Sequence, residues 1–264
     1  MNYHTEQFGA GQPLLLLHGF SGSGADWEPF LPAFASHFHV LTVDLPGHGK
    51  ADSPHDLTAY RMENTARDLI ALLDSLHIEK THLLGYSMGG RLALFLALTY
   101  PERFLSLILE SASPGLQTEA ERQARIVSDE TLAAQIEQNG IEWFADYWAN
   151  IPLFASQKSL PAEIQNRLRE KRLANNTQGL ANSLRAMGTG MQPSLWERLG
   201  ELQIPVLLIA GERDIKFVTI NQQMQPHIAN AQLSIIPEAG HTVHLEQPEP
   251  FTNIVTQFLT SLNR

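Results

Sequence analysis

The sequence predicts an α/β fold: a mostly parallel central sheet with helices on both faces and a helical insertion over one end. Three observations carry this. Six short runs rich in Leu, Ile and Val punctuate the chain, and they are apolar throughout rather than alternating, as strands buried on both faces must be. Most are separated by stretches of helical periodicity, the pattern of crossover units feeding a parallel sheet. Between about residues 113 and 197 the alternation stops, and helical periodicity continues with several Trp, Arg and Gln and no convincing strand.

In chain order, strands are expected at 13–17, 40–44, 81–84 and 105–109, with two more at 206–210 and 233–236. A helix is expected at 58–76, where Met62, Ala66, Leu69, Leu72 and Leu73 form one apolar stripe. Another is expected at 90–100, stopped by Pro101, and a last one at 248–262, opened by a proline at an early position. A long helical insertion between two strands of one sheet covers the strands' carboxyl ends, where ligand sites lie. The expected organisation is therefore a core of residues 1–112 and 198–264 and a helical cap of residues 113–197, with Trp143 inside its packing. No internal repeat, low-complexity tract or long linker interrupts the chain.

The chain has 264 residues, enough for one α/β domain with an insertion. It carries 18 Lys and Arg against 28 Asp and Glu, a net charge of −10, which argues against nucleic acid or an anionic membrane as partner. That total leaves room for a local cationic pocket. With no cysteine there is no disulfide, thiol nucleophile or thiolate metal site. The opening residues lack the basic and apolar parts of a signal peptide, and no apolar run reaches the length of a membrane span. A soluble, cytoplasmic protein without membrane insertion is expected; oligomeric state is not readable.

The chemistry is carried by Gly85-Tyr86-Ser87-Met88-Gly89, which follows the apolar run at 81–84 and precedes a helix. Gly-x-Ser-x-Gly at a strand-to-helix corner lifts the serine hydroxyl off the sheet, and the glycines relieve the strained turn. A serine hydroxyl is too weakly acidic to act alone at neutral pH, so it needs an imidazole. Asp214 follows the strand at 206–210, in Gly211-Glu212-Arg213-Asp214, and His241 follows the strand at 233–236, in Glu238-Ala239-Gly240-His241. Ser, Asp, His is the order of the α/β-hydrolase fold, with Asp214 holding the tautomer and His241 taking the serine proton. Glu212 is the rival acid and His244 the rival base. His18-Gly19-Phe20 ends the first long strand, so the backbone N–H groups of Phe20 and Met88 are the expected oxyanion donors, with His18 orienting the loop. Residues 44–49, Asp-Leu-Pro-Gly-His-Gly, read as a tight turn. Arg91, four residues after Ser87, would offer a fork of donors to a carboxylate if it faces the pocket.

Over essentially its whole length the chain resembles the α/β-hydrolase superfamily. That superfamily holds esterases, C–C bond hydrolases, peroxidases and lyases, so the fold does not fix the reaction. Serine at the elbow argues against the haloalkane dehalogenase branch, which has aspartate there. The string GYSMGGRLAL at 85–94 closely resembles the 2-succinyl-6-hydroxy-2,4-cyclohexadiene-1-carboxylate synthases of menaquinone and phylloquinone biosynthesis. So do HGFSGSGADW at 18–27, ESASPGL at 110–116, FADYWANIPLFAS at 144–156, GERDIKF at 211–217 and AGHTVH at 239–244.

This resemblance implies Ser87, Asp214 and His241 as the triad and Arg91, Arg125, Arg172, Tyr86 and Trp148 as substrate-binding residues. Arg122 shares a helical face with Arg125, as Arg169 does with Arg172, so a solvated charged face competes for each pair. The second member of each pair is chosen on the resemblance, not on spacing. The implied substrate is a small tricarboxylate, 2-succinyl-5-enolpyruvyl-6-hydroxy-3-cyclohexene-1-carboxylate. Its implied reaction is elimination of pyruvate: Ser87 acts as base and the oxyanion hole holds an enolate, with no acyl-enzyme, cofactor or metal. The rival reading is a serine hydrolase of carboxylic esters or C–C bonds using the same triad. A noncatalytic small-molecule receptor on the same fold is a third.

Overall fold

The protein is described by a computed structural model covering residues 1–262. Its sheet has the order β1-β3-β2-β4-β5-β6-β7. The strands are β1 (Thr5–Phe8), β2 (Gln12–Leu17), β3 (Phe38–Val43), β4 (Thr81–Tyr86), β5 (Phe104–Glu110), β6 (Val206–Gly211) and β7 (Ala231–Ile236). All neighbours pair in parallel except β1, which runs antiparallel to β3. The six expected strands are present, and β1 is added at the edge. Its four residues Thr-Glu-Gln-Phe are only partly buried, so they carry none of the apolar signal of the inner strands.

The helices are α1 (Leu31–Phe34), α2 (Met62–Ser75), α3 (Met88–Thr99), α4 (Glu119–Ala149), α5 (Ala162–Leu173), α6 (Thr177–Met187), α7 (Ile215–Met224), α8 (Val243–Glu246) and α9 (Pro248–Ser261). The single helix expected at 58–76 is two elements. A 3-10 segment, Leu57–Tyr60, is capped by Asp56, and Arg61 in an extended conformation (φ −60°, ψ 141°) separates it from α2. The break has a cause: Tyr60 is buried and its hydroxyl donates to the Pro54 carbonyl, which turns the chain before α2 can start. Helix α3 begins at Met88, two residues earlier than expected.

Residues one apart on each strand face opposite ways, and here both faces are covered. Leu15, Leu17, Leu83 and Leu107 pack with Leu69 and Leu73 of α2 and Leu92 and Leu96 of α3. Leu14, Leu16, Leu84 and Ile108 pack on the other side with Trp27, Phe34, Phe251 and Val255. Burial of each such side chain stabilises the fold by about 1.5–3 kcal/mol, which is why the strands show no polar face in sequence.

Between β5 and β6 lie α4, a 3-10 segment (Pro152–Ser159), α5 and α6, without a strand among them. Helix α4 is broken at Gly140 (φ 83°, ψ −178°). These helices share a small core of Ala133, Ile136, Phe144, Leu180, Ala181 and Leu184. Trp143 packs against this core as expected but is only partly buried, stacking on Tyr147 at 4.9 Å; its neighbour Phe144 is the fully buried ring. Among the described residues, no helix is long and apolar enough to cross a membrane.

Two buried histidines tie stability to pH. His82 of β4 is bonded to Ser106 Oγ (2.8 Å) and Gln12 Oε1 (2.9 Å), and burial pushes its pKa down to about 4. His48 is pushed down to about 3 by burial and by the neighbouring His18. In the unfolded chain both titrate near 6.5, so between that pH and their folded values only the unfolded state binds the proton. Stability from these groups is complete above about pH 6.5 and is lost as pH falls through 6.5 toward 4. Denaturant titrations from pH 8 to 4 should show this decline, and His82→Gln should flatten part of it; an unchanged slope in that variant would refute the assignment.

Candidate active site

Ser87 occupies the corner between β4 and α3 with φ 49° and ψ −105°, a conformation that costs a non-glycine residue energy. The corner is held by Ser87 N–H donating to the Glu110 carbonyl of β5 (2.8 Å) and Arg91 N–H donating to the Ser87 carbonyl (2.9 Å). Gly85 lies directly against the Gly89 backbone, and Gly89 against the carbonyls of Leu17, which ends β2, and of His18 after it, so a Cβ at either would strike main chain. The Gly-x-Ser-x-Gly spacing thus follows from how closely the start of α3 returns onto the sheet.

The same sheet end gathers the other groups. Asp214 lies past β6 at the start of α7, accepting from Phe217 N–H with Oδ1 (3.4 Å), and its Oδ2 is 2.6 Å from His241 Nδ1. His241 Nε2 is 3.0 Å from Ser87 Oγ. Because the carboxylate can only accept, Nδ1 carries the proton and Nε2 offers its lone pair to the serine. The imidazole is 1% exposed and ringed by Phe217 (4.7 Å), Tyr86 (5.6 Å) and Phe154 (5.9 Å). Its loop is fixed by a residue that sequence reasoning missed. Glu246 accepts the N–H groups on either side of His241, from Gly240 (2.8 Å) and Thr242 (3.2 Å).

The rivals are placed elsewhere. Glu212 accepts from Glu238 N–H (3.1 Å), and His244 is buried with its Nδ1 2.8 Å from Glu110 Oε2. His18 donates through Nδ1 to the Gly19 carbonyl (2.7 Å) and accepts from Leu45 N–H at Nε2 (3.0 Å); burial lowers its pKa, so it is neutral and ties two loops together. Asp44 closes the turn at 44–49, accepting from Gly24 and Lys50 N–H (both 2.7 Å). Leu17 pairs with Gly85, so Phe20 and Met88, each three residues further on, emerge at the same end of adjacent strands. Met88 N–H is at the first position of α3, where no intrahelical acceptor exists. An imidazole-linked serine with two backbone N–H groups nearby can remove a proton or attack a carbonyl, and can hold the oxyanion that results.

The sequence profile of the family described as "alpha/beta hydrolase fold" matches residues 12–248. A 2-succinyl-6-hydroxy-2,4-cyclohexadiene-1-carboxylate synthase of Pectobacterium atrosepticum is 35% identical, the match covering 94% of this chain and 93% of that protein. A Bacillus subtilis (strain 168) protein, provisionally named as such a synthase, is 48% identical over 96% of this chain and 92% of its own. The chain belongs to this synthase family of α/β-hydrolases. The solved structure of MenH from S. aureus superposes with a TM-score of 0.95 at 37% identity, covering 99% of both chains. A malate-bound thermophilic esterase from Thermogutta terrifontis gives 0.88 at 27% identity, covering 99% of this chain and 94% of that one.

Set in that family, the arginines differ in what they touch. Arg91 is 9% exposed, and its Nη1 donates to two neutral acceptors, the Met187 carbonyl (3.0 Å) and Gln192 Oε1 (3.2 Å). Burial pushes its pKa down to about 10, with Arg125 adding to the shift and Asp129 opposing it, so it stays charged at neutral pH. Arg125 donates through Nε to Asp129 (2.7 Å), whose carboxyl is pushed up by burial. Arg122, similarly exposed, pairs instead with Glu119. Arg172 is 7% exposed, donates to Gln157 Oε1 (3.3 Å) and lies over the Phe154 ring (5.7 Å), while Arg169 pairs outside with Asp146.

A cavity of about 390 Å³ opens beside the elbow, walled by Phe20, Tyr86, Trp148, Phe154, Gln157 and Arg172 among others. Ser87, Arg91 and Arg125 are not on that wall; Arg91 reaches Met187 of α6 and Gln192, and Arg125 pairs within α4. Trp148 is T-shaped to Phe20 (5.2 Å) and Phe154 (5.8 Å) at the cavity edge. Binding of a polycarboxylate such as citrate should therefore change tryptophan emission in the wild type. The change should vanish in Trp148→Phe although Trp27, Trp143 and Trp196 remain; a retained response would place the ligand elsewhere.

Proposed function

We propose that the chain is a pyruvate-eliminating lyase that converts 2-succinyl-5-enolpyruvyl-6-hydroxy-3-cyclohexene-1-carboxylate into 2-succinyl-6-hydroxy-2,4-cyclohexadiene-1-carboxylate, the activity for which its relatives are named. One observation of the site carries this beyond the family name. One helical turn after a serine linked to His241 and Asp214 stands Arg91, a buried guanidinium whose hydrogen bonds go to neutral acceptors. A buried charge is costly unless an opposite charge meets it; Asp129 acts on it from a distance without a hydrogen bond, and an anionic substrate would complete the pairing. Its ester-cleaving neighbours share the sheet and the elbow geometry, so the arginine rather than the triad argues for the lyase reaction.

In this reading Ser87 Oγ takes the substrate proton that is conjugated to the succinyl ketone as its own proton passes to His241 Nε2. Asp214 stabilises the imidazolium that forms. Electron density moves onto the ketone oxygen, which the N–H groups of Phe20 and Met88 receive as an enolate. The enolate then collapses, the ring C–O bond breaks, and enolpyruvate leaves and takes up a proton to become pyruvate. Arg172 holds a carboxylate in the cavity, and Tyr86 and Trp148 wall the ring; Arg91 and Arg125, off that wall, are the family-matched candidates for the remaining carboxylates. No covalent bond to Ser87 is made.

Pyruvate release followed with purified protein tests the reading. Ser87→Ala should reduce turnover about 10³-fold or more. Arg91→Ala should lower kcat/KM roughly ten- to hundredfold, with Arg91→Lys restoring part of it. Normal turnover in Arg91→Ala would remove the carboxylate clamp. Absence of pyruvate release together with fast ester cleavage and a trapped acyl-Ser87 would replace the lyase by a serine hydrolase.

A further inference from the structure

We infer that Gln157 is a positioning residue that couples a carboxylate held at Arg172 to the placement of His241; the inference rests on the lyase reading above. Gln157 belongs to the 3-10 segment Pro152–Ser159 of the insertion, far from the triad in sequence, and is 7% exposed. Its amide is engaged at both ends. Oε1 accepts from Arg172 Nη2 (3.3 Å), and Nε2 donates to Thr242 Oγ1 (2.9 Å). The polarity is forced, because a guanidinium only donates: the carbonyl must face Arg172, and the NH₂ must face the threonine.

Thr242 is the residue after His241. Its hydroxyl is also 2.7 Å from the Tyr86 hydroxyl, and its N–H donates to Glu246, which holds Gly240 on the other side of the histidine. Ser156, next to Gln157, stands so close to Gly240 that a Cβ there would overlap the serine side chain. The insertion is thus seated on both flanks of His241, Ser156 against Gly240 and Gln157 on Thr242. An arginine in the cavity wall is therefore linked through one amide to the hydroxyl of the residue next to His241.

No other side chain of this size can do both tasks. Asparagine is one methylene too short, and glutamate would neutralise Arg172 and lose the donor to Thr242. The Arg172–Gln157 bond is long, and it uses one of the guanidinium's five N–H groups, leaving the rest for a carboxylate. When an anion draws Arg172, Gln157 follows through Oε1 and Thr242 through Nε2, which sets the loop that holds His241 Nε2 at 3.0 Å from Ser87 Oγ.

The test is a double-mutant cycle on pyruvate release with Gln157→Met, Arg172→Met and the double variant, each checked for native thermal unfolding, with Gln157→Glu as a second probe. Gln157→Met should lower kcat about tenfold, the loss expected for one buried hydrogen-bonded link. It should cost little more once Arg172 is already methionine. Gln157→Glu, which keeps the arginine contact and loses the donor, should lower kcat like Gln157→Met. The His241 Nδ1 proton resonance, recorded without substrate, should move in Gln157→Met and in Arg172→Met. Losses that multiply in the double variant would show Gln157 acting independently of Arg172, and an unmoved His241 resonance would sever it from the histidine; either overturns the inference. A wild type that releases no pyruvate would fail the lyase reading, whereas the resonance, read without turnover, judges the coupling separately.

Discussion

The site depends on one close approach: the first turn of α3 folded back onto the ends of β4 and β2, with Gly85 against Gly89 and Gly89 against the Leu17 and His18 carbonyls. Everything else is positioned relative to that contact. It forces Ser87 to positive φ and fixes Ser87 N–H on Glu110, and it brings the Met88 N–H beside the loop that carries Phe20. The strain at Ser87 is tolerated because α3 is buried along nearly its whole length from Met88 to Leu98, so the corner cannot relax without exposing an apolar helix.

Electrostatics add a second layer. The protein is acidic overall, and several of its surface arginines are matched by acids: Arg185 with Glu130 and Glu137, Arg198 with Glu201, Arg103 with Asp74. Arg91 and Arg172 are buried and hydrogen-bond only to neutral groups among the described residues. Desolvation weakens the hold of both on their protons, and two arginines thus lie beneath an acidic surface without a hydrogen-bonded acid of their own.

Much of this was legible in the chain, for identifiable reasons. The inner strands are covered on both faces, so their apolar runs stand out; the elbow needs two glycines at fixed spacing; and the acid and histidine each follow a strand. What escaped depends on contacts distant in sequence or on weak local signals. Edge strand β1 buries too little to leave a pattern. The break at Arg61 is set by Tyr60 reaching back to Pro54, a turn that an apolar stripe does not encode. Glu246, Glu110 and Gln157 look like ordinary polar residues, and their importance lies in which backbone N–H or side chain the fold brings to them. The arginine pairs were ambiguous because helical spacing cannot say which of two neighbours meets a surface acid.

The insertion leaves the sheet at β5 and returns at β6, yet those strands are direct neighbours, Leu107 beside Val206. The two halves of the sheet are therefore joined by closing a loop of about a hundred residues, whose entropic cost rises only slowly with length. Such a connection costs little at equilibrium, although pairings of high sequence separation slow folding. Ser87 lies on one side of this junction, whereas Asp214 and His241 lie on the other. The reactive centre is therefore complete only when this distant junction is closed, so loss of the β5–β6 pairing separates the serine from its acid and its histidine.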